Sequence, residues 1–522
     1  MRLTLATRFS RLSWSDRLAL LLSLVGFLVA YRVTLSVFEA VPHIEDEMAY
    51  VWQAQVMARG KLTVPSPPYE KTFLVPFVVD YQGQRFGKYP PGWPAMLSLG
   101  VRLGVRAWVN PLLAACSLWL IYRLARRLFG NLVGLLSQAL TLTSPFFWMN
   151  SGSLLSHPFG LFLTLAFALA WLDAFQGGAA ERGLPIGLPT VVGALSLGLL
   201  ALTRPLTAVG VALPFVLHAL WLLWRGDGER RRRLIGFALL AGLVAAGLLL
   251  WQYAVSGDPL LNPYTLWWEY DKVGFGPGYG RVEGGHNLHQ AWINLKYSLW
   301  FGRHDLFGWG QYSWVLIPFG VLGVLCKRVW NALPTLFVLP ALLFVYLFYW
   351  IGSALFGPRY YFEGLHSAVM LSAVGFAWLA GLPITPSTAY VPRHGWQKAR
   401  RLLATACLAL AVTTNLLFYT PLRLGGLFGL YGVTASRLQP FLTEQAQALT
   451  PALVIVHPDH WTEYGALLEL SSPFLDSPFV IVRSIGPNTD QALAETFQDR
   501  NILHYYPKDP YRFLLVRTRQ EN

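Results

Sequence analysis

The sequence predicts an α-helical polytopic membrane protein with about eleven transmembrane helices (eleven to thirteen) and a small C-terminal α/β domain. Three observations carry this. Of the 522 residues, 54% are hydrophobic and only 13% are charged, against about 25% charged in ordinary soluble domains. Apolar runs long enough to cross a hydrocarbon core about 30 Å thick recur along most of the chain. From about Pro451 onward the pattern changes to short β-rich segments separated by polar turns.

The formal net charge of +14 would suggest nucleic acid as a partner if the bases were gathered on a soluble surface. They sit instead in short loops: Arg123, Arg126 and Arg127; Arg230 to Arg233; Lys327 and Arg328; and Arg393 to Arg401. Arg2, Arg8, Arg11 and Arg17 add a fifth group at the N-terminus. This is the positive-inside pattern of a membrane protein, and it argues against nucleic acid. Cys116, Cys326 and Cys407 fall inside apolar runs and read as buried packing residues rather than disulfides or metal ligands.

Taken in order, the first apolar segment, about Arg17 to Phe38, is too long for a cleavable signal and lacks a small-residue cleavage site, so it reads as an anchor. With the basic clusters cytoplasmic, residues 39–106 form a first external loop. That loop contains an interfacial helix, about Glu47 to Arg59, stopped by Gly60. Met96 to Gly104, within the stretch from Pro91, is too short to span and reads as a re-entrant or lead-in helix. Spans follow near 107–128, 131–149, 154–175, 188–203, 205–224 and 234–254. A long external loop covers 256–310, and the last spans lie near 311–326, 332–351, 361–382 and 402–420. This arrangement puts every basic cluster on one side and every long loop on the other. The transmembrane domain is then 1–425 and the soluble domain 426–522, on the side of the acidic loop. In the soluble domain ALVIVH, PFVIVR, NILHYY and YRFLLV read as strands, with Trp461 to Leu470 and Gln491 to Phe497 as helices.

The stretch from His43 to Pro94 carries the clearest chemical signal. Glu45, Asp46 and Glu47 stand together where the chain leaves the bilayer. Capping the interfacial helix would explain one of these acids, at about 0.3–1 kcal/mol each from the helix dipole, but explains three in a row poorly. Lys88 in GKYPPGWP, Arg204 in LTRPL and Arg359 in FGPRYYFEG are external cations at one membrane level. Snorkelling is the ordinary role of such residues; facing a carboxylate, three of them also suit a lipid phosphate whose sugar projects outward. Tyr360 and Tyr361 either donate hydrogen bonds there or belong to an aromatic belt. The 256–310 loop holds His286, His289, His304 and Asp305. An HxxH spacing on a helix puts both rings on one face, so a divalent metal and simple hydrogen-bonded loop histidines are both open readings. His157, Glu45 and Glu47 are further metal or acceptor candidates. Trp267, Trp268, Tyr270 and Trp292 stack on sugar rings or sit at the interface. GFGPGYG at Gly274 to Gly280 has no strand before it and no helix after it, so it reads as a loop and not a nucleotide site.

These residues resemble the GT-C membrane glycosyltransferases, in the branch that contains protein O-mannosyltransferases and the aminoarabinose transferases that modify lipid A. The resemblance lies in Asp46-Glu47 followed by Tyr50, in Lys88-x-Pro90-Pro91-x-x-Pro94, in Thr203 to Leu206, in Pro358 to Tyr361, and in the C-terminal soluble domain. It implies that Asp46 is the catalytic base, with Glu47 beside it, and that Lys88, Arg204 and Arg359 or Tyr360 bind the donor phosphate. It further implies a polyprenyl-phosphate-linked sugar as donor, a lipid, glycan or protein acceptor, no nucleotide cofactor, and a bacterial plasma membrane with the site on its outer face. The chain departs from the family at His157-Pro158, where Asp-Pro is usual, and at Ala49, where a basic residue is often found.

The chemistry expected follows from the leaving group. A polyprenyl phosphate departs without protonation if cations stabilise its charge, whereas the acceptor hydroxyl needs a base on the opposite face of the anomeric carbon. The outcome is inversion, by the logic of an inverting glycosidase. Two other classes stay open at this stage: a transporter or flippase of lipid-linked glycans, which calls for polar or broken helices at mid-membrane, and a non-catalytic glycan-assembly subunit.

Overall fold

The structure, a computed structural model, describes residues 12–176, 187–385 and 395–520. Arg2, Arg8, Arg11 and Arg393 lie outside the described residues. All eleven apolar segments are helical. Among the described residues, eight are long and apolar enough to cross a membrane alone, from Trp14–Ser36 through Arg106–Phe129, His157–Phe175, Pro205–Arg225, Gly228–Ser256, Trp330–Phe348 and Arg359–Leu379 to Gly395–Gly432. Two more are bent pairs, Asn131–Leu142 with Pro145–Ser151 at 64° and Leu288–Asp305 with Gly310–Cys326 at 109°. The remaining one, Leu188–Thr203, is 16 residues long. The first bend has a local cause: Pro145 has no N–H to continue the helix, and the Ser144 hydroxyl accepts from Phe147 N at 3.2 Å to start a new one.

The second pair corrects the expectation of a loop over 256–310, because its last part is the 18-residue helix Leu288–Asp305. That helix buries only Ala291, Ser298, Gly302 and Asp305 and turns Trp292, Tyr297 and Trp300 outward. Hydropathy does not reveal which face packs when the outer face meets lipid rather than water. The same physics corrects the reading of the cysteines: Cys116, Cys326 and Cys407 are all exposed on outward helix faces.

The loop after the first span folds tightly. Its helix is Glu45–Ala58, two residues earlier than expected, so all three acids lie in its first turn, and it ends before Gly60 at φ +74°. Strands β1 (Val64–Pro65), β2 (Val78–Tyr81) and β3 (Gln84–Gly87) form an antiparallel sheet of order β1-β3-β2. The β2–β3 turn has Gln82 and Gly83 at positive φ, 49° and 73°, the geometry of a two-residue hairpin. Gly92–Arg102 is an 11-residue helix, about 16 Å long at 1.5 Å per residue, too short to span.

The C-terminal region contains β4 (Ala452–Val456), β5 (Phe479–Arg483), β6 (Asn501–Tyr505) and β7 (Phe513–Arg517) in the order β5-β4-β6-β7. Strand β4 runs parallel to β5 and β6, while β7 is antiparallel to β6. All five residues of β4 are buried. The sheet stands over the acidic loop, held by Arg106–Glu469 at 2.7 Å, Arg59–Asp476 at 2.5 Å and Tyr464 Oη donating to Leu74 O at 2.9 Å.

The Lys88–Gly92 turn packs against the junction at Thr203. A Cβ on Gly92 would lie 2.4 Å from Thr203 Oγ1 and 2.8 Å from Leu202 O, and the second of these atoms is backbone. Gly92→Ala is therefore expected to cost about 1–3 kcal/mol by overpacking, read as a lower thermal midpoint in detergent. An unchanged midpoint would show that the junction can move apart freely.

Candidate active site

The first turn of Glu45–Ala58 presents three carboxylates in three different environments. Glu47 is buried and points inward, accepting from His43 N at 2.8 Å and Leu154 N at 2.7 Å. It thereby ties the start of this helix to the segment before His157–Phe175. Burial raises its pKa, against the pull of the His43 ring and these backbone donors. Glu45 is half-buried; desolvation raises its pKa, and the neighbouring Asp46 charge adds to the rise.

Asp46 is held from two sides. Its Oδ1 accepts from Tyr89 Oη at 2.6 Å, and its Oδ2 lies 3.4 Å from Arg359 Nη2. Burial alone would raise its pKa, but Arg359, the Tyr89 hydroxyl and Lys88 together bring it below the ordinary carboxylate value. Asp46 is thus ionised at neutral pH. Tyr89→Phe removes one stabiliser of the ionised form and should move the acid limb of the activity profile to higher pH. A limb that stays in place would separate Asp46 from the rate.

Arg359 reaches Asp46 with one terminal nitrogen, while its buried Nη1 has no hydrogen-bond partner among the described residues. It begins the 3₁₀ turn Arg359–Gly364, which also carries Glu363. Glu363 is fully buried, with Oε1 3.0 Å from Arg204 Nε and 3.7 Å from His157 Nδ1. Gly160 makes room for this carboxylate, since a Cβ there would lie 2.3 Å from Glu363 Oε1. Arg204, between the helices Leu188–Thr203 and Pro205–Arg225, also donates to Tyr346 Oη at 3.1 Å and Ser156 Oγ at 3.3 Å. Ser156 in turn meets Tyr50 Oη at 3.3 Å. Tyr50 lies one helical turn after Asp46, on the same face, so the Asp46 and Arg204 clusters are continuous. The Tyr360 ring stacks on Tyr346 with centroids 5.1 Å apart.

Lys88 is enclosed. Its Nζ lies 3.2 Å from Asp271 Oδ2 and within 3.7 to 5.4 Å of the ring centres of Phe77, Trp268, Tyr264 and Tyr89. Asp271 also accepts from Tyr349 Oη at 2.9 Å and Trp350 Nε1 at 3.0 Å. Burial lowers the Lys88 pKa, and Asp271 and Asp46 oppose the fall. The ammonium therefore clamps the 256–310 segment against the turn that carries Tyr89. Trp268 belongs to this cage and Trp267 packs on Phe77, whereas Trp292 faces outward.

The other histidines lie apart. His286 precedes its helix, because Asn287 is the cap, its Oδ1 accepting from Gln290 N at 3.0 Å. His286 and His289 therefore do not share a helical face. The His286 Nε2 lies 2.8 Å from Leu347 O, His289 is exposed, and His304 Nε2 accepts from Arg303 Nε at 3.2 Å. Asp305 pairs with Arg423 at 2.9 Å. Among the described residues, His157, His286, His289, His304, Glu45 and Glu47 do not form a three-ligand cluster.

Tyr89, Asp271, Glu363 and Tyr346 were missed by sequence reasoning. Two carried a signal. Tyr89 is adjacent to Lys88, and Glu363 is an acid at the head of an apolar helix, which by its cost marks a partnered site.

The mostly helical membrane chain with its small C-terminal sheet has the GT-C class of fold. The solved structures it resembles are of that class. ArnT from Cupriavidus metallidurans bound to undecaprenyl phosphate matches with a TM-score of 0.55 and 15% identity, over 93% of this chain and 92% of that one. The archaeal oligosaccharyltransferase AglB from Archaeoglobus fulgidus, in complex with an inhibitory peptide and a dolichol-phosphate, matches with a TM-score of 0.53 and 12% identity, over 94% of this chain and 70% of that one. The likeness is one of fold. No protein-family model and no curated protein matches the sequence.

Proposed function

We propose that the chain is a membrane glycosyltransferase that moves a sugar from a polyprenyl-phosphate-linked donor to an acceptor hydroxyl on the extracytoplasmic face, with inversion. The observation that carries this reading is Asp46, ionised and paired to Arg359, whose second terminal nitrogen is buried and unpartnered among the described residues. A buried donor left unsatisfied costs about 1–3 kcal/mol, and an anionic phosphate oxygen would satisfy it. The structures of similar fold include one holding undecaprenyl phosphate and one holding a dolichol-phosphate, which supports the same class of donor here.

In this reading Asp46 takes the acceptor hydroxyl proton as the hydroxyl oxygen bonds to the anomeric carbon. The bond from that carbon to the phosphate oxygen breaks, and the phosphate leaves with its charge held by Arg359 and Arg204. Tyr360 lies beside them as a further donor, and Glu47 positions the helix that carries Asp46. Lys88, enclosed by its cage, acts through the placement of Tyr89. The acceptor is a lipid, a glycan or a protein. Mass spectrometry of lipid-linked sugars and surface glycans, with and without the protein, tests the reading. A glycan profile that does not change on removal of the protein would refute it.

Sidedness is testable separately. Each juxtamembrane Lys or Arg favours the anionic cytoplasmic leaflet by about 1 kcal/mol, so Arg230 to Arg233 bias the orientation strongly. In a background with the native cysteines replaced, a cysteine at Gly278 is expected to react with an impermeant thiol reagent on cells with a permeable outer wall. One at Gly228 is expected to react only after lysis. The reverse pattern would place Asp46 in the cytoplasm.

A further inference from the structure

We propose that the C-terminal sheet carries a divalent transition-metal site, of the kind that takes Zn²⁺, formed by His457, His504 and Asp490. None of these residues belongs to the Asp46 site, and the inference stands without the proposed transfer reaction. The three ligand atoms all lie within 4.8 Å of one another. His457 Nε2 and His504 Nδ1 are 2.7 Å apart, with the rings nearly parallel at 19°.

The topology accounts for the meeting. His457 directly follows β4, and His504 lies on β6, the parallel neighbour of β4. From β4 the chain crosses to β5 on one side, and from β6 it turns to β7 on the other. Adjacent parallel strands whose connections leave in opposite directions form the switch point at which open α/β sheets bind ligands, outside their carboxyl ends. Asp490 arrives from the third parallel strand, on the helix Pro487–Thr496 that follows β5.

Two facts favour a metal over a bare pair of histidines. A proton shared between the rings uses one nitrogen of each and leaves the carboxylate out. Asp490 is only 6% exposed; its Oδ2 accepts from Ser484 Oγ at 2.7 Å, while its Oδ1 is buried with no hydrogen-bond partner among the described residues. A cation between the three groups would satisfy that oxygen and both imidazoles together. Bonds of about 2.0–2.1 Å in a tetrahedral site need ring nitrogens about 3.3 Å apart, so the rings have to separate by about half an ångström. With Oδ1 as the ligand, Ser484 on Oδ2 supplies the outer hydrogen bond that ligating carboxylates ordinarily have, and the Tyr506 ring, stacked on His457 at 4.5 Å, fixes that imidazole. Three protein ligands leave a fourth position on the half-buried side, open to water or to an incoming oxygen ligand.

The test uses the full chain purified in detergent and stripped with chelator. Zn²⁺ titrated calorimetrically should bind at about one ion per chain, and Co²⁺ should give visible d–d absorption. His457→Gln/His504→Gln should weaken Zn²⁺ binding by at least about 100-fold. Because that variant alters two side chains at the strand ends of the sheet, the wild-type chain supplies a second readout: Zn²⁺ should protect His457 and His504 from diethylpyrocarbonate, mapped by peptide mass spectrometry. Binding well below one ion per chain, undiminished affinity in a folded double variant, or modification of both histidines unaffected by Zn²⁺ would each overturn the proposal.

Discussion

Asp46→Asn is expected to lower transfer by about 10²–10⁴-fold, the scale of a positioned base, while leaving insertion and thermal stability close to wild type. The substitution is nearly isosteric. The amide oxygen can still accept from Tyr89, which now bonds Oδ1 at 2.6 Å. What is lost is the negative charge beside Arg359 and the capacity to take a proton. Both side chains of the pair keep some exposure, 14% for Arg359 and 21% for Asp46, so solvent partly screens the guanidinium when the carboxylate charge is removed. Rates measured on purified protein with a polyprenyl-phosphate sugar decide the matter. An Asn variant of near-normal activity would take Asp46 out of the mechanism and leave Glu45, whose pKa burial raises, as the next carboxylate to test.

Arg204→Ala should be the most damaging single change to the fold. The Glu363 carboxylate is fully buried, and Arg204 at 3.0 Å is its main counter-charge. Breaking a buried pair by removing one partner costs about 3–5 kcal/mol, because the remaining charge is left uncompensated. Most of the variant is expected to be lost from the folded fraction in fluorescence-detected size exclusion. Adding Glu363→Gln removes the stranded charge and should restore much of the stability. The restored double variant then isolates function: if Arg204 holds the donor phosphate, KM for the lipid donor stays raised while KM for the acceptor changes little. Normal donor KM in a stable double variant would confine Arg204 to a structural role.

The contrast between Arg359 and Lys88 shows how little an isolated basic residue says about its job. Both were legible as cations at helix ends on the acidic-loop side. Lys88 is satisfied within the chain by Asp271 and four rings, whereas Arg359 keeps a buried nitrogen without a partner among the described residues. The difference comes from residues some 180 positions away, in a segment whose composition suggested only a loop. The HxxH spacing illustrates the same point, because Asn287 starts the helix between the two histidines and sends their rings apart.

Segments whose free energy is mainly local were determined by the sequence itself. A run of apolar residues must satisfy its own backbone hydrogen bonds in lipid, so every apolar segment became a helix, in order and nearly in extent. The four C-terminal strands followed from short apolar runs bounded by turns. Tertiary structure alone decided the rest. It set which helix faces pack, since lipid and protein interior are equally apolar to a cysteine or a tryptophan. It folded the strands of two to four residues after the first span, too short to show a period. It also chose the partners of three charges at the site, Asp46 with Arg359, Lys88 with Asp271 and Arg204 with Glu363. The desolvation cost that forces such pairing can be read from one residue, but the partner that repays it is chosen by the fold.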